Sequence, residues 1–232
     1  MMADSATTGR PMGAYLEYTL LRPDATLAQI EALCREAADL GMLAICVSPC
    51  WLGHASRILA ATGVKLDTTC GFPLGSESTS VKVAQAVTAI GLGADEVDMV
   101  MNIGAFKSGL HDWVREDIAA VVTACHTRNV SLKVILETGY LNDAEKETAC
   151  RLAVSAGADF VKTSTGLGPG GATVADVELL RRVAPGSVGI KAAGGIRDLK
   201  TALAMIRAGA TRIGTSAGAA IVREATEAGN LV

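Results

Sequence analysis

The sequence predicts a single-domain α/β fold, a (β/α)8 or TIM barrel. Three observations carry this. Eight short apolar runs alternate with eight helix-like stretches through short loops, which indicates a parallel sheet. The length of 232 residues suits eight such units, since a barrel of this kind takes about 250 residues. Aromatic residues are only 3% of the chain while hydrophobic residues are 50%. The core must therefore be built from Ala, Val, Ile and Leu, as suits parallel strands covered by helices. A doubly wound open sheet is the alternative. It calls for a dinucleotide fingerprint after the first strand, and the Gly-x-Gly patterns here stand late in the chain.

The elements follow in order. Leu16 to Leu20 is a short first strand; Pro23 and Thr26 then start a helix from Leu27 to Leu40 with apolar spacing of three and four, ended by Gly41. Met42 to Val47 is a continuous apolar strand, followed by a helix reaching Ala60 and a strand from Val64 to Cys70. Ser76 or Ser78 opens the third helix, which ends at Gly91. Ala94 to Met101 is the fourth strand, and Gly109 to Arg128 the fourth helix. Ser131 to Glu137 forms the fifth strand, with Asn142 or Asp143 capping the next helix and Gly157 closing it. Phe160 to Thr163, Val188 to Ala192 and Arg212 to Gly214 are the last three strands, with helices at Thr173 to Val183, Asp198 to Ala208 and from Ser216.

Residues 1–13 read as a flexible leader and residues 14–232 as the barrel. The leader lacks the basic-then-apolar order of a secretory signal, and no run nears the ~18 apolar residues that span a bilayer. A cytoplasmic protein with no membrane partner is expected. A net charge of −3 without a Lys/Arg-rich run argues against nucleic acid. The six cysteines form no Cys-x-x-Cys pair and no histidine completes a zinc site, so reduced thiols and no metal are expected.

Chemistry is expected at the C-terminal ends of barrel strands. There the fourth strand carries Glu96 and Asp98, the fifth Lys133 and Glu137, the sixth Lys162 and the seventh Lys191. Strand residues two apart share a face, so Glu96 aligns with Asp98 and Lys133 with Glu137. A buried ammonium is costly unless something uses or pairs it. Lysine is also the residue that forms Schiff bases when neighbouring charge lowers its pKa. Lys162 and Lys191, on neighbouring strands, disfavour each other's charge. Lys162 is therefore read as the nucleophile and Asp98 as a proton carrier. The alternative is a Lys-Asp-Lys cluster that only holds the barrel interior together.

A phosphate site is expected at the loops after strands seven and eight. Gly194 and Gly195 stand in the first, Gly214 and Ser216 in the second, and Thr165 and Gly166 open a Gly-rich run after strand six. Small residues let backbone N–H groups approach an anion at a helix start. Cys46, ending strand two, is a candidate lining residue or a core thiol. Glu17 is a polar site residue or a partner for Arg22. His54, His111 and His126 fall in helical or loop stretches and read as surface residues.

Four segments carry a family resemblance: Glu96 to Gly104 (EVDMVMNIG), Leu132 to Thr138 (LKVILET), Phe160 to Gly166 (FVKTSTG) and Ile190 to Arg197 (IKAAGGIR). They resemble the deoxyribose-phosphate aldolases, class I enzymes that use no metal or other cofactor, and the likeness runs over nearly the whole chain. The resemblance implies that Lys162 forms the Schiff base, Lys191 lowers its pKa and Asp98 moves protons, with Lys133 and Cys46 lining the site. It implies reversible cleavage of 2-deoxy-D-ribose 5-phosphate to D-glyceraldehyde 3-phosphate and acetaldehyde. Another class I aldolase or transaldolase and a non-catalytic sugar-phosphate-binding barrel are the alternatives. A homo-oligomer, associating through the outer helices, is expected. Glu17-Tyr18 replaces the family's Asp-His in strand one. The chain ends without the tyrosine that some members place in the site, leaving proton transfer to Asp98, Lys191 and water.

Overall fold

The computed structural model describes residues 9–229. Its strands are β1 (Leu16–Leu20), β2 (Ala44–Val47), β3 (Lys65–Cys70), β4 (Glu96–Val100), β5 (Ser131–Ile135), β6 (Phe160–Lys162), β7 (Gly189–Ala193) and β8 (Arg212–Thr215). They close in sequence order into one barrel, β1 pairing with β8, and every pairing is parallel.

The helices are α1 (Leu27–Asp39), α2 (Leu52–Leu59), α3 (Thr79–Gly91), α4 (Ile103–Lys107), α5 (His111–His126), α6 (Asp143–Ser155), α7 (Val174–Val183), α8 (Leu199–Arg207) and α9 (Gly218–Glu227). Short polar side chains cap five of them: Thr26 on α1, Asn102 on α4, Asn142 on α6, Thr173 on α7 and Asp198 on α8. Thr26 with Gln29 and Asn142 with Glu145 form reciprocal capping boxes on α1 and α6, satisfying backbone donors that the first turn leaves open.

Alternation along the strands sorts the chain into two interiors. Outward residues such as Ile45, Val97, Val134, Val161, Ile190 and Ile213 join the helices in the hydrophobic core. The inward positions between them are largely charged, and they build the site.

Three expectations change. The expected fourth helix is α5, and a short additional helix, α4, precedes it, because Asn102 caps that turn by accepting from Ala105 N at 3.0 Å. Strand β5 stops at Ile135, and Glu137 adopts a left-handed conformation with φ 55°. Glu137 therefore leaves the face of Lys133 and instead accepts from Thr165 N at 3.1 Å. Met12 and Gly13, within the expected leader, are buried in a 3-10 turn over Met12–Tyr15. The rest of that leader, residues 1–8, and the chain end at 230–232 lie outside the described residues. Among the described residues no helix is long and apolar enough to cross a membrane.

Candidate active site

Inward side chains of alternate strands stack in layers of four along a barrel axis. By strand register the lowest layer holds Ala44, Glu96, Phe160 and Arg212, the middle one Glu17, Asp67, Lys133 and Lys191, and the top one Cys46, Asp98, Lys162 and Gly214. With every carboxyl, lysine and arginine ionised, each layer sums to zero charge. Burying ions is costly unless each finds its counter-ion, and here all of them do.

At the top, Asp98 Oδ2 lies 2.6 Å from both Lys162 Nζ and Lys191 Nζ. The two lysines thus point to the same side of the barrel wall. Asp98 Oδ1 lies 3.1 Å from Lys133 Nζ. Lys191 also donates to Asp67 Oδ2 at 3.0 Å and to Glu17 Oε2. The strands that carry the two lysines are locked at their ends: Thr163 Oγ1 donates to Ala193 O at 3.0 Å and accepts from Ala193 N at 3.1 Å.

The charges follow from these contacts. Burial works against the Asp98 carboxylate, but Lys133, Lys162 and Lys191 hold it well below the usual carboxylate range. Burial likewise opposes the Lys191 ammonium, yet Asp67, Asp98 and Glu17 raise it well above an ordinary lysine. Lys191 therefore keeps its proton at neutral pH. It is also fully buried, whereas Lys162 reaches a cleft of about 660 Å³ at the C-terminal end of the barrel.

That cleft is lined by Thr165, Gly166, Gly194, Gly195, Gly214 and Ser216. Gly166, Gly194 and Gly195 have φ of 84°, 94° and 81°, values that side chains rarely adopt. The three loops are tied together. Ala172 N donates to Gly194 O at 3.0 Å, and Thr215 Oγ1 donates to Ile196 O at 2.6 Å while accepting from Ala217 N.

Two expected lining residues do not line the cleft. Lys133 and Cys46 are fully buried. Lys133 stands a layer lower and fills its reach with Glu96, Asp98 and Asp67; burial pushes the Cys46 thiol well up. Glu17 pairs with Lys191 and Arg212 rather than with Arg22, whose partner is Asp24. Sequence reasoning did not single out Asp67 or Arg212 as site-forming. Their signal was available: each is a charge at an inward position of an otherwise apolar or Thr-rich strand. Arg22 and Arg197, on the cleft wall, carry the same kind of signal, a guanidinium just past a strand end.

The arrangement suits an amine that adds to a carbonyl beside a carboxylate, with an anion cradle across the cleft. The comparisons with known proteins agree with that chemistry. Residues 9–227 match the model of the DeoC/LacD family aldolases. The chain is 50% identical to a deoxyribose-phosphate aldolase of Brevibacillus brevis, covering 94% of this chain and 98% of that one. It is 51% identical to a deoxyribose-phosphate aldolase of Thermococcus gammatolerans over 95% of this chain and 99% of that one. Among solved structures, an aldolase named QR15 superposes with a TM-score of 0.88 at 42% identity, covering 97% of both chains. A deoxyribose phosphate aldolase from Aeropyrum pernix, described as tetrameric, superposes with a TM-score of 0.86 at 33% identity, over 94% of this chain and 92% of that one.

Proposed function

The chain belongs to the DeoC/LacD aldolase family, and from that premise we propose that it reversibly cleaves 2-deoxy-D-ribose 5-phosphate through a Schiff base on Lys162. The observation that carries the residue assignment is the shared oxygen, Asp98 Oδ2, 2.6 Å from each amine. Of the two amines, Lys191 is fully buried and keeps its proton, while Lys162 opens to the cleft. Lys162 Nζ is thus the amine free to add to the C1 aldehyde.

Addition gives a carbinolamine, which loses water to form the protonated imine. The C3 hydroxyl then gives up its proton, the C2–C3 bond breaks, D-glyceraldehyde 3-phosphate leaves, and the electron pair passes into an enamine on Lys162. Protonation at C2 and hydrolysis release acetaldehyde and restore the amine. Asp98, with solvent water, relays these protons. As Lys162 gives up its ammonium contact, Lys191 remains on the same oxygen and neutralises it. The phosphate end is held by backbone N–H groups of the Gly194-Gly195 and Gly214–Ala217 loops, with Arg22 and Arg197 on the wall. This fixes the distance from anion to reacting carbon.

The reading includes a cytoplasmic homo-oligomer; the tetramer described for the Aeropyrum pernix relative supports self-association, and sedimentation of the purified chain measures it. Sodium borohydride with acetaldehyde traps a secondary amine on Lys162, located by peptide mass spectrometry, and Lys162→Ala lowers cleavage by at least a thousandfold. An adduct on any other lysine overturns the assignment. A preference for dihydroxyacetone over acetaldehyde as donor overturns the substrate.

A further inference from the structure

The reactive layer is the upper end of an ion-pair column that runs the length of the barrel. Building on Lys162 as the Schiff-base lysine, we infer that Glu96 and Arg212, which touch neither Lys162 nor the cleft, are positioning residues that set the charge felt by the reactive amine.

Arg212 reaches Asp98 by two routes. Its guanidinium lies 3.0 Å from Glu17 Oε1, and the other oxygen of Glu17 holds Lys191, which lies on Asp98. It also lies 3.0 Å from Glu96 Oε1. Glu96 Oε2 is 2.6 Å from Lys133 Nζ, which is 3.1 Å from the other oxygen of Asp98. Asp67 joins the routes, 3.2 Å from Lys133 and 3.0 Å from Lys191. From β2 the titratable group facing the column is the Cys46 thiol, beside the uncharged Ala44, and burial pushes it well up. At the bottom Lys65, with its side chain 45% exposed, closes the column 3.0 Å from Glu96.

On its open side Lys162 shares the cleft with Tyr18, Arg22, Glu36 and Arg197. The ion pairs of Arg22 and Glu36 run elsewhere, to Asp24 and Arg223. The column is therefore the charged surrounding that Lys162 meets inside the barrel. Little water screens it, so an unbalanced charge at the bottom is felt at the top. Across about 10 Å at an effective dielectric near 20 such a charge moves a titration by about one pH unit.

The sign of each change follows. Arg212→Met makes the column one charge more negative than the wild type, which favours the ammonium, so the pH of half-maximal borohydride trapping of acetaldehyde on Lys162 rises by about one unit. Glu96→Gln makes it one charge more positive, and the midpoint falls by about one unit. Arg212→Met/Glu96→Gln restores the wild-type charge and its midpoint returns to that of the wild type. A purely structural role predicts weaker folding in all three with no ordered displacement. Should Arg212→Met fail to fold, the fall in Glu96→Gln and the return in the double variant still decide. Midpoints that coincide in every variant, or move in one direction in both single variants, overturn the inference. A wild type that traps nothing on Lys162 overturns instead the reading it rests on.

Discussion

Four carboxylates enter the barrel interior, and three of them are held below their ordinary range while Asp67 is not. Glu17 and Glu96 are buried, which raises them, but each has cations enough to bring it lower: Lys133 and Lys191 for Glu17, Lys133 and Arg212 for Glu96. Asp67 shares Lys133 and Lys191 with its neighbours and has no arginine. Burial, reinforced by Asp98, pushes it up to about 7 against the two lysines. A carboxyl whose folded value lies above its unfolded one, about 4, contributes stability that is fully present below pH 4 and lost as the pH rises through 7. Glu17, Glu96 and Asp98 act in the opposite sense, and their contribution is lost only below about pH 4. Between pH 4 and 7, Asp67 is thus the column's titrating group. Asp67→Asn removes that slope. In urea unfolding at pH 5 and pH 8, the wild type minus variant difference should be more favourable to the wild type at pH 5 by about 2–4 kcal/mol. An equal difference at the two pH values refutes a titrating Asp67.

At the scale of elements, the anion cradle depends on how the loops after β6, β7 and β8 lie on one another. Gly171 is the contact point: a Cβ there would meet the carbonyl group of Gly194 well inside contact distance, at the place where Ala172 N donates to Gly194 O. Gly171→Ala forces the β6 loop off Gly194-Gly195 while leaving Lys162, Asp98 and Lys191 in place. The KM for deoxyribose 5-phosphate should then rise about tenfold, equivalent to ~1.4 kcal/mol, with borohydride trapping of acetaldehyde unchanged. A parallel loss of trapping would show that the loop positions the amine as well. These loops were legible in the sequence because glycine pairs after consecutive strands stand out. The left-handed turn at Glu137 was not, since nothing local distinguishes a glutamate ending a strand from one that has left it. The short helix α4 was hidden for a similar reason: Ile103-Gly104 reads as a break until Asn102 is seen to cap it.

At the scale of the molecule, the barrel was legible because eight apolar runs repeat with one spacing, and Lys162, Lys191 and Asp98 were legible as charges at strand ends. What the sequence does not show is which charges face each other across the axis. The resemblance implied that Lys133 lines the site; its actual height in the barrel depends on stagger, which no single strand encodes. A second charged pair makes the same point outside the barrel. Lys82 on α3 and Asp117 on α5 are charges of two amphipathic helices, yet both are buried, 2.6 Å apart. Lys82 also donates to Val100 O at 3.2 Å, so one side chain joins two helices of the outer layer to the end of β4. Removing one partner of such a pair strands a buried charge, at about 3–5 kcal/mol. In a chain of this size that lowers the melting temperature of Lys82→Met by roughly 10 °C. Lys82→Met/Asp117→Leu removes both charges and should recover most of that loss. Lys82 lies outside the ion-pair column, so the pH midpoint of trapping on Lys162 should stay where it is in both variants. A displaced midpoint would mean that charge in the helical layer reaches the barrel axis, and that the column is not insulated by the hydrophobic core around it.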